Sequence, residues 1–241
     1  MRHIYSIVAC SVIFALVPAG THAASYTATF DGPGVPSHLV PTTTGGFSID
    51  IVGGQAVLSK TSGVGNGFGA LTTDFQLLGD FSATVQLTNY SLPGIGEAGL
   101  NASFAPTYPS GFADVWSYNG DRMVGNIFVP SPPGFGTSVI FTSSPSFTLN
   151  IERSGNTLSL SFDGGGGMQL LRSATDPILS GPVNIQFFLE QETGNTSAHH
   201  ASFDNLVIAA NAFQPPIPEP STSALLLSGI LAGGLMIRRS R

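Results

Sequence analysis

Residues 147–162 are FTLNIERSGNTLSLSF, and they give the clearest indication of the fold. Apolar and polar residues alternate up to Ile151, the triplet Ser154-Gly155-Asn156 has the composition of a turn, and the alternation resumes from Leu158 to Phe162. A period of two on both sides of a short turn is typical of a β-hairpin with one buried face. The stretch therefore predicts two antiparallel strands.

The same alternation recurs between residues 25 and 209, where no helical periodicity is evident. Asn119-Gly120 favours a type I′ turn and predicts a second hairpin, because both residues tolerate positive φ. The turn Pro93-Gly94-Ile95-Gly96 lies between Phe81–Thr88 and Ala98–Phe104, and these two segments are expected to pair. Further strands are predicted for Gly111–Tyr118, Val183–Glu192 and Ala201–Ile208. Many strands with no helices between them predict an all-β, two-sheet antiparallel jelly-roll sandwich.

The order of these segments resembles the concanavalin A-like jelly roll of lectin, laminin-G and glucanase domains. The resemblance rests on Phe81–Leu87 with Ala98-Gly99-Leu100, on Leu149–Phe162 with its R-x-G-N-x-L core, and on Ala201–Ile208. It implies a sandwich with a sugar-binding sheet face, and an unrelated jelly roll is the alternative. Glucanases of this fold carry a strand of the form Glu-x-Asp-x-(x)-Glu. Residues 190–194, EQETG, do not supply it.

Charged residues are scarce and unevenly placed in this 241-residue chain, of which 9% are charged. Four of its eight Lys and Arg residues lie at position 2 and after position 237, so residues 24–217 contain four basic residues against thirteen acidic ones. An acidic body of this kind repels the phosphates of nucleic acids. We therefore expect no nucleic-acid partner.

Residues 1–23 have the layout of a secretory signal peptide, which would form an N-terminal helix. Arg2 and His3 precede the apolar run Ile4–Val17, and Thr21-His22-Ala23 fits a small-residue cleavage site. We expect cleavage after Ala23, with Ala19 as the second choice. The run is too short to span a hydrocarbon core of roughly 30 Å.

The single cysteine of the chain, Cys10, lies inside this predicted signal peptide. The processed protein would therefore have no thiol. This excludes disulfides, thiolate metal sites and cysteine nucleophiles together.

The C-terminal residues combine a proline-rich hinge, an apolar run and a basic end. Ala224–Ile237 is apolar on every side, which predicts a transmembrane helix once the preceding serines and threonine are included. The arginines that follow would stay on the cytoplasmic side of the membrane. Pro218, Glu219 and Pro220 stand before the run, and Arg238, Arg239 and Arg241 stand after it.

These C-terminal residues resemble the PEP-CTERM sorting signal of exported bacterial proteins. The resemblance implies export, a transient tether in the inner membrane and recognition by an exosortase, followed by transfer to the cell surface or extracellular matrix. It also implies that Glu219 belongs to a recognition element. The predicted division is a signal peptide (1–23), a β-sandwich (24–209), a Pro-rich linker (210–217) and a sorting signal (218–241).

A sugar-binding face is predicted from aromatic and polar residues that alternate along two strands. Sugar C–H faces stack on aromatic rings while amides and carboxylates bond the hydroxyl groups. A core position for the single tryptophan is the alternative. The candidate residues are Asp114, Trp116, Tyr118, Gln186, Phe188 and Glu190.

Other features suggest chemistry less directly. Glu190 and Glu192 lie two residues apart on one strand, which permits a glycosidase pair, although a solvated strand edge is the commoner explanation. Asp31 and Asp204 are weak candidates for binding a structural Ca²⁺, because pairing of the first and last strands would bring their carboxylates together. No other cofactor is expected. His199-His200 is expected in an exposed loop, and the glycine run at 164–167 is expected to form a hairpin tip.

Together these features predict an exported, non-catalytic β-sandwich. Its expected role is that of a structural or exopolysaccharide-contacting component of the envelope or matrix. The alternative is a hydrolase or lyase acting on exopolysaccharide.

Overall fold

A computed structural model describes residues 24–63, 65–104, 111–130, 133–191 and 194–215. These residues form strands and one short 3₁₀ helix, Pro177–Ser180. The first eight strands are β1 (Ala24–Ala28), β2 (Leu39–Thr43), β3 (Phe47–Val52), β4 (Gln55–Lys60), β5 (Gly67–Thr73), β6 (Gln76–Ser91), β7 (Gly96–Phe104) and β8 (Phe112–Tyr118). The remaining strands are β9 (Arg122–Pro130), β10 (Pro133–Phe141), β11 (Ser146–Ser154), β12 (Thr157–Asp163), β13 (Gln169–Thr175), β14 (Val183–Gln191) and β15 (His199–Gln214).

The strands form two antiparallel layers. The front sheet has the order β10-β9-β8-β7-β14-β5-β2. The back sheet has the order β13-β12-β11-β6-β15, with β4 and β1 on the other side of β15 and β3 outside β4. A single ladder pair, Val183 with Leu77, joins the two layers at one end. The all-β, two-sheet prediction is confirmed.

Apolar side chains from the inner faces of both sheets fill the space between them. On β6 the alternating residues Phe81, Ala83, Val85 and Leu87 are buried, as their period of two predicts. The layers approach closely at Gly125 of β9, where an added Cβ would lie 2.7 Å from a methyl carbon of a β13 leucine. Burial of this apolar area is the main stabilising term, at about 25 cal/mol per Å².

Both predicted hairpins are present. Asn119 and Gly120 have φ values of 55° and 74°, which are the two positive angles that a type I′ turn requires. Ser154 faces Thr157 across the other turn, where Gly155 has φ of 60°. Turn composition therefore located both reversals of the chain correctly.

Two details differ from the expectations. Ala98–Phe104 does not pair with Phe81–Thr88, because the connection at 92–95 crosses from the back sheet to the front sheet. Strand β15 also continues past residue 209, and Phe213 pairs with Leu77 and packs on Phe75, with ring centroids 4.8 Å apart. The alternating pattern after residue 209 is too short to distinguish a strand from a linker.

The predicted signal peptide at 1–23 and the sorting signal at 218–241 lie outside the described residues, as does part of the predicted linker. Within the described ranges, no helix is long and apolar enough to cross a membrane.

Candidate active site

The outer face of the front sheet contains a pocket built around Gly99. Gly99 lies on β7, directly between Phe188 of β14 and Trp116 of β8 in the strand register. A Cβ at Gly99 would collide with Trp116 Cβ and with the carbonyl oxygen of Val115. The missing side chain therefore lets the neighbouring strand approach closely and leaves a depression among the side chains around it.

This depression has a volume of about 130 Å³ and an acidic, aromatic lining. Each lining residue belongs to β5, β7, β8 or β14, which the antiparallel register places side by side. The lining residues are Phe68, Glu97, Asn101, Asp114, Trp116, Gln186, Phe188 and Glu190. Three carboxyl groups thus come from three different strands.

Two of the carboxyl groups face each other directly. Glu97 of β7 pairs with Glu190 of β14 in the register. Directly opposed residues have Cβ atoms about 4.5–5.5 Å apart. Carboxylates so close repel each other, and such pairs are a recurrent feature of catalytic sites.

The third carboxyl group, Asp114, has a raised pKa. Burial raises its pKa to about 7, a hydrogen bond from Asn101 opposes this shift, and the charge of Glu190 adds to it. Asn101 Nδ2 donates this bond to Asp114 Oδ1 from the facing position on β7. The pocket therefore holds a carboxyl group that stays protonated well above the pH at which ordinary aspartates ionise, within electrostatic reach of Glu190.

The pocket belongs to a longer row of side chains that crosses six strands. In the register, Phe68 faces Glu190, Glu190 faces Glu97, and the row continues on β8, β9 and β10. Five strand spacings of about 4.8 Å give this row a length of about 24 Å. Its members, in order, are Phe68, Glu190, Glu97, Tyr118, Arg122 and Phe141.

The six predicted glycan-binding residues all lie on this one face. Trp116 and Tyr118 are partly exposed, as a sugar platform requires, and Gln186 donates a 2.9 Å hydrogen bond to Thr72. The prediction placed them on two separate strands, and the structure puts β7 between those strands. Sequence reasoning therefore missed the β7 residues Glu97, Gly99 and Asn101.

A signal for β7 was present in the sequence. Glu97-Ala98-Gly99-Leu100-Asn101 has the spacing of the Glu-x-Asp-x-Glu pattern described above but keeps only its first acid. Asp114 lies directly opposite Asn101, so the neighbouring strand supplies a carboxyl group close to the position where the pattern has its last one.

The other candidates do not join this site. Glu192 lies outside the described residues. His199 is buried and not in an exposed loop, because β15 begins there and pairs His199 with Lys60 of β4. The expectation of an exposed histidine pair was wrong in this respect.

The first and last strands do pair, with Ala28 opposite Leu206, and Asp31 and Asp204 lie just beyond that ladder. Asp204 Oδ1 accepts a 2.7 Å bond from the Asn205 amide. Among the described residues, no three His, Asp or Glu side chains come together as metal ligands. The structure therefore offers no support for the calcium site.

The glycine run forms the connection between β12 and β13, as expected. Asp163 Oδ1 accepts bonds from the amides of Gly165 and Gly167, at 2.7 and 3.0 Å. Local hydrogen bonds thus account for this acid.

Comparison with solved structures places the described body among concanavalin A-like jelly rolls. One match comes from work on endo-acting O-glycanases of the human gut microbiota that initiate mucin breakdown, with a TM-score of 0.62, 11% identity, and 77% of this chain and 98% of that chain covered. The Bacillus licheniformis β-glucanase gives a TM-score of 0.57, 16% identity and coverages of 77% and 97%. LamAcat from Zobellia galactanivorans gives a TM-score of 0.60 and 10% identity, with 76% of this chain and 96% of that chain covered. These values show a shared fold.

Residues 216–241 match the family described as the PEP-CTERM protein-sorting motif. The chain thus has a PEP-CTERM sorting motif at its C-terminus and a jelly-roll body similar to that of the glucanases, and both predicted resemblances are confirmed. The motif implies an exported protein that an exosortase processes. A search of curated protein sequences found no match.

The comparisons contradict one prediction. The chain was expected to be a non-catalytic, glycan-contacting component and not an enzyme, yet two of the similar structures are described as an O-glycanase and a β-glucanase. Sequence reasoning counted only Glu190 and Glu192 as a pair, because the acids of the pocket are far apart along the chain. The expectation of a non-catalytic protein was therefore wrong.

Proposed function

We propose that this protein is an exported glycoside hydrolase that cleaves within a polysaccharide chain. The observation that carries the proposal is the pocket around Gly99, where Asp114 lies within electrostatic reach of Glu190 and Glu190 faces Glu97. Glycosidases require an acid and a second carboxylate on either side of the scissile bond. The fold of the similar structures is consistent with this chemistry.

Asp114 is the proton donor in this proposal. Its pKa of about 7 keeps it protonated at mildly acidic pH and about half protonated at pH 7, and the protonated form is the state a general acid needs. It gives its proton to the glycosidic oxygen as the bond to the anomeric carbon breaks. One of the two facing carboxylates, Glu97 or Glu190, attacks the anomeric carbon. Water then releases the sugar, and its proton returns to Asp114.

The aromatic lining would hold the sugar units over these acids. Trp116 and Phe188 lie on opposite sides of Gly99, so a sugar ring placed there contacts an aromatic side chain on each side. Asn101 and Gln186 supply amide groups for hydroxyl recognition. Because the row continues beyond the pocket to Tyr118, Arg122 and Phe141, the face has room for several consecutive sugar units of a chain.

Export and sorting would bring this face to its substrate. In this proposal residues 1–23 are removed as a signal peptide, and residues 218–241 tether the protein briefly in the inner membrane with Arg238, Arg239 and Arg241 on the cytoplasmic side. The exosortase then transfers the sandwich to the cell surface or extracellular matrix. An extracellular polysaccharide is the polymer available there.

Release of new reducing ends from polysaccharides tests the proposal. The full chain, purified in detergent, is incubated with mixed-linkage glucan, laminarin, galactan, mucin and the producing cell's exopolysaccharide. We expect release of reducing ends from at least one polymer. Of the variants Glu97→Gln and Glu190→Gln, the one that replaces the attacking carboxylate should lose at least about 100-fold in activity.

Glu152→Gln is the matched control, because Glu152 is an exposed acid on β11 of the back sheet. It should keep wild-type activity. Equal activity in the wild type and both pocket variants would refute the assignment of the site. Products with unsaturated ends would indicate a lyase.

A further inference from the structure

We propose that Tyr118, Arg122 and Phe141 form a separate subsite that binds an acidic group of the polysaccharide, so that the substrate is an anionic polymer. The inference rests on the proposed function only in taking the ligand to be a polysaccharide. The rest of its argument comes from the geometry of these three side chains and from the charges on the front sheet.

The three side chains form a stack on the outer face. The Arg122 guanidinium carbon lies 5.1 Å from the ring centroid of Tyr118 and 5.1 Å from that of Phe141. Cation–π contacts at exposed positions are weak, so they contribute little to the stability of the fold. Phe141 remains 73% exposed on an edge strand, where stability alone gives little reason for an aromatic side chain.

The stack lies in the same row as the acids of the pocket. Arg122 pairs with Tyr118, and Tyr118 pairs with Glu97. Arg122 is thus two strand spacings, about 9.6 Å, from Glu97. A polymer lying along the row with one sugar unit over Gly99 therefore places a nearby unit against the stack.

Arg122 is held in place and still has donors to offer. Its Nε donates to Asp121 Oδ1 at 2.8 Å and its Nη2 donates to Asp121 Oδ2 at 3.4 Å. The Asp121 hydrogen bond raises the pKa of Arg122, so the guanidinium stays charged. These two bonds use two of the five N–H donors of the guanidinium, and the side chain is 30% exposed.

Within the described ranges, Arg122 is the one basic residue on the outer face of the front sheet. Lys60 and Arg153 are 2% and 1% exposed, and Arg172 lies on β13 of the back sheet. Asp121 forms an ion pair with this guanidinium, so an anionic sugar would share the cation with Asp121. A guanidinium flanked by two rings fits a sugar that carries a carboxylate, because the rings contact its C–H face and the cation pairs with its charge.

Binding to paired polymers tests the inference without requiring hydrolysis. Alginate, polygalacturonate and xanthan are each used in native form and after chemical reduction of their carboxyl groups to hydroxyls. Affinity electrophoresis of the full chain carrying Asp114→Asn, which suppresses cleavage, gives the dissociation constants. We expect tighter binding of the native form for at least one polymer.

Arg122→Gln should then weaken binding of that native polymer by about 10-fold and leave binding of its reduced form unchanged. Phe141→Ala should weaken both forms, because stacking does not depend on the charge. Glu152→Gln, which changes an exposed charge on the back sheet, is the control and should change neither, and thermal unfolding confirms that each variant is folded.

The inference is overturned if no polymer binds better in its native form, or if Arg122→Gln affects both forms equally. Hydrolysis of the reduced polymers by the wild type is measured separately. Cleavage without discrimination between the two forms would therefore remove the acidic subsite and leave the proposed hydrolase in place.

Discussion

Asp114 is the residue on which the proposed chemistry depends. Its carboxyl group is half-buried in the pocket, faces Asn101 across the ladder and experiences the charge of Glu190. Burial is the largest cause of its raised pKa, so the acid is neutral when most surface aspartates are ionised. This arrangement is costly for folding and useful for proton transfer.

The activity should follow the protonation of Asp114. Because the donor must hold its proton, kcat/KM should fall by about 10-fold for each pH unit above a pKa of about 7. Initial rates between pH 5 and 9 on a susceptible polymer measure the profile. A rate that rises through this range would contradict the assignment of Asp114 as the acid.

Asp114→Asn should abolish activity and increase stability at alkaline pH. The pKa of Asp114 in the folded protein, about 7, exceeds its ordinary value of 3.8, so the folded state binds more protons between these values. The wild type therefore loses stability as pH rises from about 4 to about 7, and the asparagine variant does not suffer this loss.

We expect the variant to be more stable by about 1–2 kcal/mol at pH 8 and equal to the wild type near pH 4. This stability difference is smaller than the full pKa shift of Asp114 would give, because the cleft is open to water. Chemical denaturation at the two pH values measures the difference. A variant less stable than the wild type at pH 8 would show that Asp114 is not under electrostatic stress.

Strand β7 shows how single elements create the site. Its inner residues Ala98, Leu100 and Ala102 are fully buried in the core, while its outer positions present Glu97, Gly99 and the amide of Asn101 to the pocket. The period of two in the sequence predicted the strand itself. It did not predict the neighbours of β7, because sheet order depends on connections that cross between layers.

This explains which parts of the site were predictable. Trp116 and Tyr118 share a face because they lie on one strand, and local alternation is enough to show it. Asp114 and Glu190 line the same pocket from either side of β7, and this placement depends on the order of β8, β7 and β14. The burial that raises the pKa of Asp114 likewise depends on packing that no local pattern contains.

The hairpin between β8 and β9 should be sensitive to its turn residue. Gly120 has φ of +74°, and an added Cβ would lie 3.4 Å from the Tyr90 ring. Gly120→Ala should destabilise the protein by about 1–2 kcal/mol, because alanine is strained at positive φ. Gly166→Ala is the control, since Gly166 has no atom within 4 Å of an added Cβ.

Thermal and chemical unfolding of both variants measure the difference. Equal stabilities would mean that the type I′ turn does not contribute to the fold.

The whole chain combines a β-sandwich with a sorting motif at 216–241. The acidic body contains only four of the eight basic residues of the chain, and three of the others are in the basic end of the motif. The protein is thus organised so that one end specifies delivery and the sheet face performs the proposed chemistry. Loss of either part should leave the other intact.

Replacement of Pro218, Glu219 and Pro220 by alanine should prevent processing by the exosortase without altering hydrolysis. We expect the full-length variant to accumulate in the membrane fraction, whereas the wild type appears outside the inner membrane as a shortened chain. Fractionation with mass spectrometry of the C-terminus measures this. Identical processing of the two proteins would contradict the assigned role of the motif.

The molar mass of the polysaccharide during incubation with the protein provides the decisive measurement. Light scattering after size separation should show a rapid early fall in mean molar mass with the wild type, since cleavage occurs within chains. A variant with both Glu97→Gln and Glu190→Gln should leave the molar mass constant. If the wild type leaves every polymer tested at its starting molar mass while binding it, the pocket around Gly99 is not a hydrolytic site.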